Sequence, residues 1–233
     1  MDNRVIVGSG VQEVTESSFI SKVYLWMAFG LFLSAVGAFG LLSQPQIMKA
    51  LVTNMWLMFG VIAVEIGLVV WLSARIQAMS VGLARILFCA YSLINGVTLA
   101  SVLLVYTGAS VLTTLAITAG TFFFFSLYGM TTKKDLTGIG GIAVMALIGV
   151  VIGSIVNIFL KSSAFMWVLT FIGIAVFLVL IAWDTQKLKA LHANSLNDPS
   201  LRKKVAVIGA LMLYLDFINL FLLLLRLFGK QRD

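Results

Sequence analysis

One cysteine, one histidine and nine acidic residues are all that this 233-residue chain offers to sites built on thiolates, imidazoles or carboxylates. Cys89 lies inside an apolar run, so there is no disulfide framework and no cysteine metal site to assemble. His192 falls in the polar interval 184–204, which leaves a serine-protease triad or a histidine-ligated zinc centre nothing to build from. Lysine is missing from the late apolar stretches 163–183 and 205–228, which removes a retinal Schiff base. The chain therefore reads as a non-enzyme without a cofactor. Charge is scarce as well, at 11% of residues, where soluble domains carry about 25%. Nine acids and sixteen bases cannot coat a soluble particle of this size. The net charge of +7 does not point to nucleic acid, because the bases sit in short segments between apolar runs and form no stripe interleaved with aromatics.

What is present is apolar. Hydrophobic residues make up 61% of the chain and its mean hydropathy is +1.09, so lipid must be the solvent for much of it. Seven stretches of about 18 residues or more, the length a helix needs to cross about 30 Å of hydrocarbon, can be marked near 22–42, 56–73, 83–105, 109–128, 138–160, 163–183 and 205–228. Runs such as Phe122–Phe125 and Leu222–Leu225 lack the alternation of barrel strands, which leaves helices as the spanning option. The fold class is thus an all-α integral membrane protein, a seven-helix transmembrane bundle. Its expected parts are a cytoplasmic N-terminal tail at 1–21, a membrane domain at 22–228 and a C-terminal tail at 229–233. The first apolar run is too long for a signal-peptide core and is expected to be retained.

Seven crossings place eleven of the bases on one side, among them Arg75, Arg85, Lys133, Lys134 and Lys187, and five on the other. The richer side is the cytoplasmic one by the positive-inside rule, which puts the N-terminus inside. The C-terminus then faces outward, unless the last stretch is a re-entrant hairpin. Residues 184–204 read as a 21-residue connecting loop in which Asp198-Pro199 marks a turn. Gly149 and Gly153 give a GxxxG spacing that reads as close helix packing.

Three acids stand where acids are expensive, at about 2.5–3.5 kcal/mol each for a central position in a span. Glu65 is in the middle of the second span, Asp184 at the inner end of the sixth and Asp216 in the middle of the seventh. An unpaired carboxyl at Asp216 holds its proton, which makes a proton sensor available; the plainer reading is a neutral, hydrogen-bonded interhelical contact. The plainer reading of Asp184 is an interfacial acid at a helix end. Glu65 has no base within two turns, so a cation must come from another span, and Arg226 is one candidate. Arg75 reads either as a snorkelling anchor or as a gating residue.

Tyr128 to Asp135 with its Thr-Lys-Lys-Asp, Trp183-Asp184-Thr185-Gln186, and Tyr214-Leu215-Asp216-Phe217-Ile218-Asn219-Leu220-Phe221 together make the chain resemble the Bax inhibitor-1 family, also called the transmembrane Bax-inhibitor-motif family, and its bacterial members in particular. The resemblance implies a multi-pass protein of a bacterial inner membrane whose seventh helix is central and wrapped by the other six. It implies a slow, pH-sensitive calcium leak, with calcium as permeant ion. Asp184 and Asp216 would form the pH-sensing carboxyl pair and a weak calcium site, Arg75 the latch of the closed pore, and Glu65 with Arg226 a second interhelical charge pair. Two carboxylates would supply only part of the six to eight oxygens that calcium takes. The family name also carries a rival expectation, a non-conducting regulator that binds another membrane or stress-response protein. Hydropathy alone sets Asp184 at the membrane edge and Asp216 eleven residues past Val205, about 16 Å deep. The two can meet only if the sixth span runs deeper or the seventh begins outside the membrane.

Overall fold

The computed structural model describes residues 3–232, with side chains described from Glu16 onward. The described residues form eight helices: α1 (Asn3–Leu42), α2 (Pro45–Thr53), α3 (Met55–Arg75), α4 (Val81–Leu103), α5 (Gly108–Thr131), α6 (Thr137–Leu160), α7 (Ser163–Asn194) and α8 (Pro199–Phe228). Seven of them, all but α2, are long and apolar enough to cross a membrane, α1 doing so over Glu16–Leu42. Among the described residues the only extended pairing is an isolated antiparallel bridge between Tyr106 and Gln231. The protein is an all-α, multi-pass membrane protein.

Polar residues before the first turns start several of these helices, since the leading amides have no partner within the helix. The Asn54 side chain accepts from the amides of Trp56 and Leu57, Ser80 from Leu83, Thr107 from Ser110 and Asp198 from Ser200 and Leu201. Pro45 and Pro199 stand at helix starts, where the missing N–H costs nothing. The turn expected at Asp198-Pro199 is therefore a helix cap.

Four sequence readings are corrected. The interval 184–204 is not a loop: α7 continues to Asn194 and α8 begins at Pro199, leaving only residues 195–198 as the connection. Hydropathy ends the sixth span at the first charges, but Leu188 and His192 are buried and hold the helical face beyond them. The re-entrant alternative also fails, because α8 is one unbroken helix of 30 residues, about 45 Å long. Finally, α2 was missed. Its nine residues are too few to span, but they bury Met48 and Leu51. Helix α1 begins at Asn3, inside the segment read as the N-terminal tail.

The chain divides into two compact units, one made of the residues up to Leu104 with Leu188–Tyr214, the other of Val105–Lys187 with the residues from Leu215 on. In the first, α1 packs along α4. The backbones approach so closely that a Cβ on Gly96 would run into the Ser34 carbonyl, and one on Gly37 into that of Leu93. Lipid gives helices no hydrophobic reason to associate, so close packing of this kind carries the contact. Ala38, Leu41, Met48, Leu51 and Ala100 form an apolar cluster that seats α2 on α1 and α4. In the second unit, Gly153 lies against Leu169 of α7 while Gly149 faces open space, so half of the GxxxG spacing packs. The large exposed apolar residues of α3, α5 and α6, such as Trp71, Phe123, Phe124 and Phe159, are the surface that lipid solvates.

Candidate functional site

Three of the four residues 183–186 of α7 organise the second unit. Trp183 covers Gly140, where any side chain on α6 would strike the indole ring. Thr185, fully buried, lies 3.2 Å from Ser126 of α5 through the two hydroxyl oxygens. Gln186 donates to the Lys134 carbonyl at 2.8 Å and accepts from the Leu136 amide at 2.9 Å, which fastens the α5–α6 connection to α7. Gly129 permits α5 to lie against the Ala182 carbonyl. With its neighbours committed to packing, Asp184 is the member of Trp183-Asp184-Thr185-Gln186 left for chemistry.

Asp184 lies ten residues inside the end of α7 at Asn194, so it is not an acid at a helix terminus. It is half-buried, whereas Asp216 of α8 is 5% exposed. Both belong to the second unit, and their charges act on each other. The added length of α7 and α8 narrows the depth mismatch that hydropathy imposed, since Asp184 now stands about 15 Å before the end of α7 and Asp216 about 25 Å past the start of α8. Asp184 Oδ1 and Asp216 Oδ2 are enclosed and meet no hydrogen-bond donor among the described residues. An unmet buried polar atom costs about 1–3 kcal/mol and commonly marks the place of a water, a proton or an ion. Lys187, one turn after Asp184, is a cation whose charge acts on both acids, and its ammonium lies 4.7 Å from the centre of the Trp183 ring. Its spacing of three from Asp184 was legible, but a base next to a helix end read only as a topology signal. Among the described residues no three His, Cys, Asp or Glu side chains gather as a metal site.

Glu65 is 8% exposed and takes its hydrogen bonds from the next helix in the chain. Thr98 Oγ1 donates to its Oε1 and Asn95 Nδ2 approaches its Oε2 at 3.5 Å. The Tyr214 hydroxyl donates to Asn95 Oδ1 at 2.8 Å and meets Ser34 Oγ at 2.6 Å. A polar chain thus runs from Glu65 through Asn95 and Tyr214 to Ser34 inside the first unit. Nothing in the sequence announced it, because Asn95 and Thr98 are residues that spans tolerate singly. The guanidinium of Arg226 lies in the second unit, 2.9 Å from Met166 Sδ. Each of Glu65 and Arg226 finds hydrogen bonding within its own unit. Arg75 is exposed at the end of α3, in the first unit. His192, read as a loop residue, is a buried member of α7 with its ring 4.9 Å from that of Phe19.

Comparison with known proteins bears on the family. Residues 16–233 match the family described as inhibitor of apoptosis-promoting Bax1. The inner membrane protein YbhL of Escherichia coli K12 is 48% identical over 216 residues, 92% of either chain. An uncharacterized protein of Borreliella burgdorferi is 39% identical over 219 residues, 94% of either chain. Another from Rickettsia prowazekii is 40% identical over 217 residues, covering 92% of this chain and 90% of its own. A match along nearly the whole length, with the helix pattern that the structure shows, places the chain in the Bax inhibitor-1 family of membrane proteins.

Proposed function

We propose that this protein is a slow, proton-gated leak for cations, calcium among them, in a bacterial inner membrane, with Asp184 and Asp216 as the titrating pair. The observation that carries this reading is the pair itself: two carboxyls in one compact unit, each with an enclosed oxygen that no donor among the described residues satisfies. Two carboxylates at close quarters repel, so the first proton is shared between them and the site titrates as a unit. Loss of that proton leaves an anionic site of hard oxygens, suited to calcium, with water and backbone carbonyls completing its shell. Lys187 is the resident counter-charge that an entering cation must displace. The role that the family resemblance gives Arg75, a cation that holds the closed state, and the central place it gives the seventh span belong to the same reading. That 67% of the spanning part of α8 is buried, against 11–44% in the other spans, supports the second of these. The inner membrane location follows the E. coli relative.

The test is calcium flux into dye-loaded liposomes over a pH series from acid to neutral. The parent is expected to leak with a pH-dependent rate. Asp184→Asn and Asp216→Asn keep the shape of the carboxyl but not its titration and are expected to fold and lose most of that dependence. Arg75→Ala is expected to raise the basal leak. Unchanged pH dependence in both Asn variants, with the folded state confirmed, refutes the sensor.

A further inference from the structure

The first unit holds a cavity of about 370 Å³ that plays no part in the leak. It lies where α1 runs past the first turns of α4 and α8. Lys22 comes from α1, Arg85 from α4, and Arg202 and Lys203 from the start of α8, and none of the lining residues is acidic. Four like charges around one hollow repel each other, so the arrangement is favourable only with an anion among them.

The two arginines are poised to bind one. The Arg85 guanidinium is stacked 5.2 Å from the centre of the Trp26 ring, which fixes its plane, and its Nε is enclosed without an acceptor. Arg202 donates from Nη2 to the Leu196 carbonyl, which anchors it, while its own Nε is enclosed and unmet. Planar forks with free N–H groups match the oxygens of a phosphate better than any point charge does. The nearby carboxylates are otherwise engaged: Asp198 caps α8, and Glu16 lies 4.0 Å from Lys189. Trp26 also forms the wall of a second, apolar groove with Leu25 and Phe29, of about 300 Å³, with Leu25 68% exposed. A polar hollow joined through one tryptophan to an apolar slot has the form of a lipid headgroup and the start of its acyl chain.

We infer that this cavity binds a phosphate group, held by Arg85 and Arg202 with Lys22 and Lys203 around it, and presented either by an anionic phospholipid or by soluble phosphate. The experiment is native mass spectrometry and thermal melting of the full chain in detergent, titrated in separate arms with phosphatidylglycerol, phosphatidylcholine and inorganic phosphate. The parent, the double variant Arg85→Gln with Arg202→Gln, and Lys203→Gln are compared. Lys203 is exposed, so its variant keeps the fold if the double variant does not. Preferential retention of phosphatidylglycerol, about fivefold weaker for each cation removed, supports the site with lipid as its source. A rise in melting temperature with inorganic phosphate, lost in the variants and without preference between the lipids, supports it with a soluble source. Equal retention of both lipids with no phosphate effect overturns it, as does a phosphatidylglycerol preference that the variants share with the parent.

Discussion

The absence of a side chain at residue 129 brings α5 onto the carbonyl of Ala182, two residues before the buried acid of α7. A Cβ there meets backbone, which cannot rotate away, so the helices must separate. Gly129→Ala is expected to cost about 1–3 kcal/mol, or about 3–10 °C in melting temperature for a chain of this size. Gly149→Ala, where nothing lies within 4 Å, is expected to leave the melting temperature unchanged or slightly higher. Equal losses in both would show that the α5–α7 contact does not depend on Gly129. At the surface, Asp135 accepts from the Thr137 amide at 2.9 Å, and the hydrogen bonds from the Thr137 side chain and amide hold its carboxyl below the usual carboxylate range. A lowered value in the folded state means that the ionised form is the bonded one. Its support for the start of α6 is present above the ordinary value of 3.8 and disappears as the pH falls through the lowered one. Hydrogen exchange at the Thr137 amide, corrected for the intrinsic rate, should lose protection in that acid window, and Asp135→Ala should remove the pH step.

Among the helices, the polar chain of the first unit shows why its partners could not be read from sequence. Glu65 stood out because an acid in a span is expensive, but Asn95, Tyr214 and Ser34 lie on three different helices, and only the fold aligns them. Hydropathy measured the apolar length of each span well and stopped where charges began. It therefore missed the 184–194 extension of α7, which one buried face sustains, and α2, whose two buried residues are too few to raise a window average. The two acids were legible as residues and their motifs as a family; that α7 runs on past Asp184 needed the true helix lengths. Hydrogen bonds between spans contribute about 0.6 kcal/mol on average, up to about 1.7. Tyr214→Phe removes contacts to both Asn95 and Ser34 and is expected to cost about 1–2 kcal/mol, read as a fall of about 3–7 °C in melting temperature. Glu65→Leu and Thr98→Val should be non-additive in a double-mutant cycle, since each removes the other's partner. Strict additivity would mean that this bond contributes nothing to the fold.

For the molecule as a whole, seven crossings place the two ends of the chain on opposite sides of the membrane, and the structure adds a second constraint. The Thr107 amide donates to the Lys230 carbonyl and the Arg232 amide to the Val105 carbonyl, each at 2.9 Å, around the Tyr106–Gln231 bridge. The segment after α8 must therefore lie on the same side as the α4–α5 connection. Lys133 and Lys134, between α5 and α6, lie one crossing away, with the larger group of bases. By the positive-inside rule the lysine pair is expected to face the cytoplasm, and Tyr106 and Arg232 to face out. Single cysteines introduced by Tyr106→Cys, Lys134→Cys and Arg232→Cys, in a chain with Cys89→Ser, can be probed in whole bacterial cells with a membrane-impermeant maleimide. Labelling at 106 and 232 before lysis, and at 134 only after it, is the expected pattern. The reverse pattern would keep the fold and invert the charge argument. Labelling that separates 106 from 232 would contradict the bridge, and with it the single outward crossing of α8.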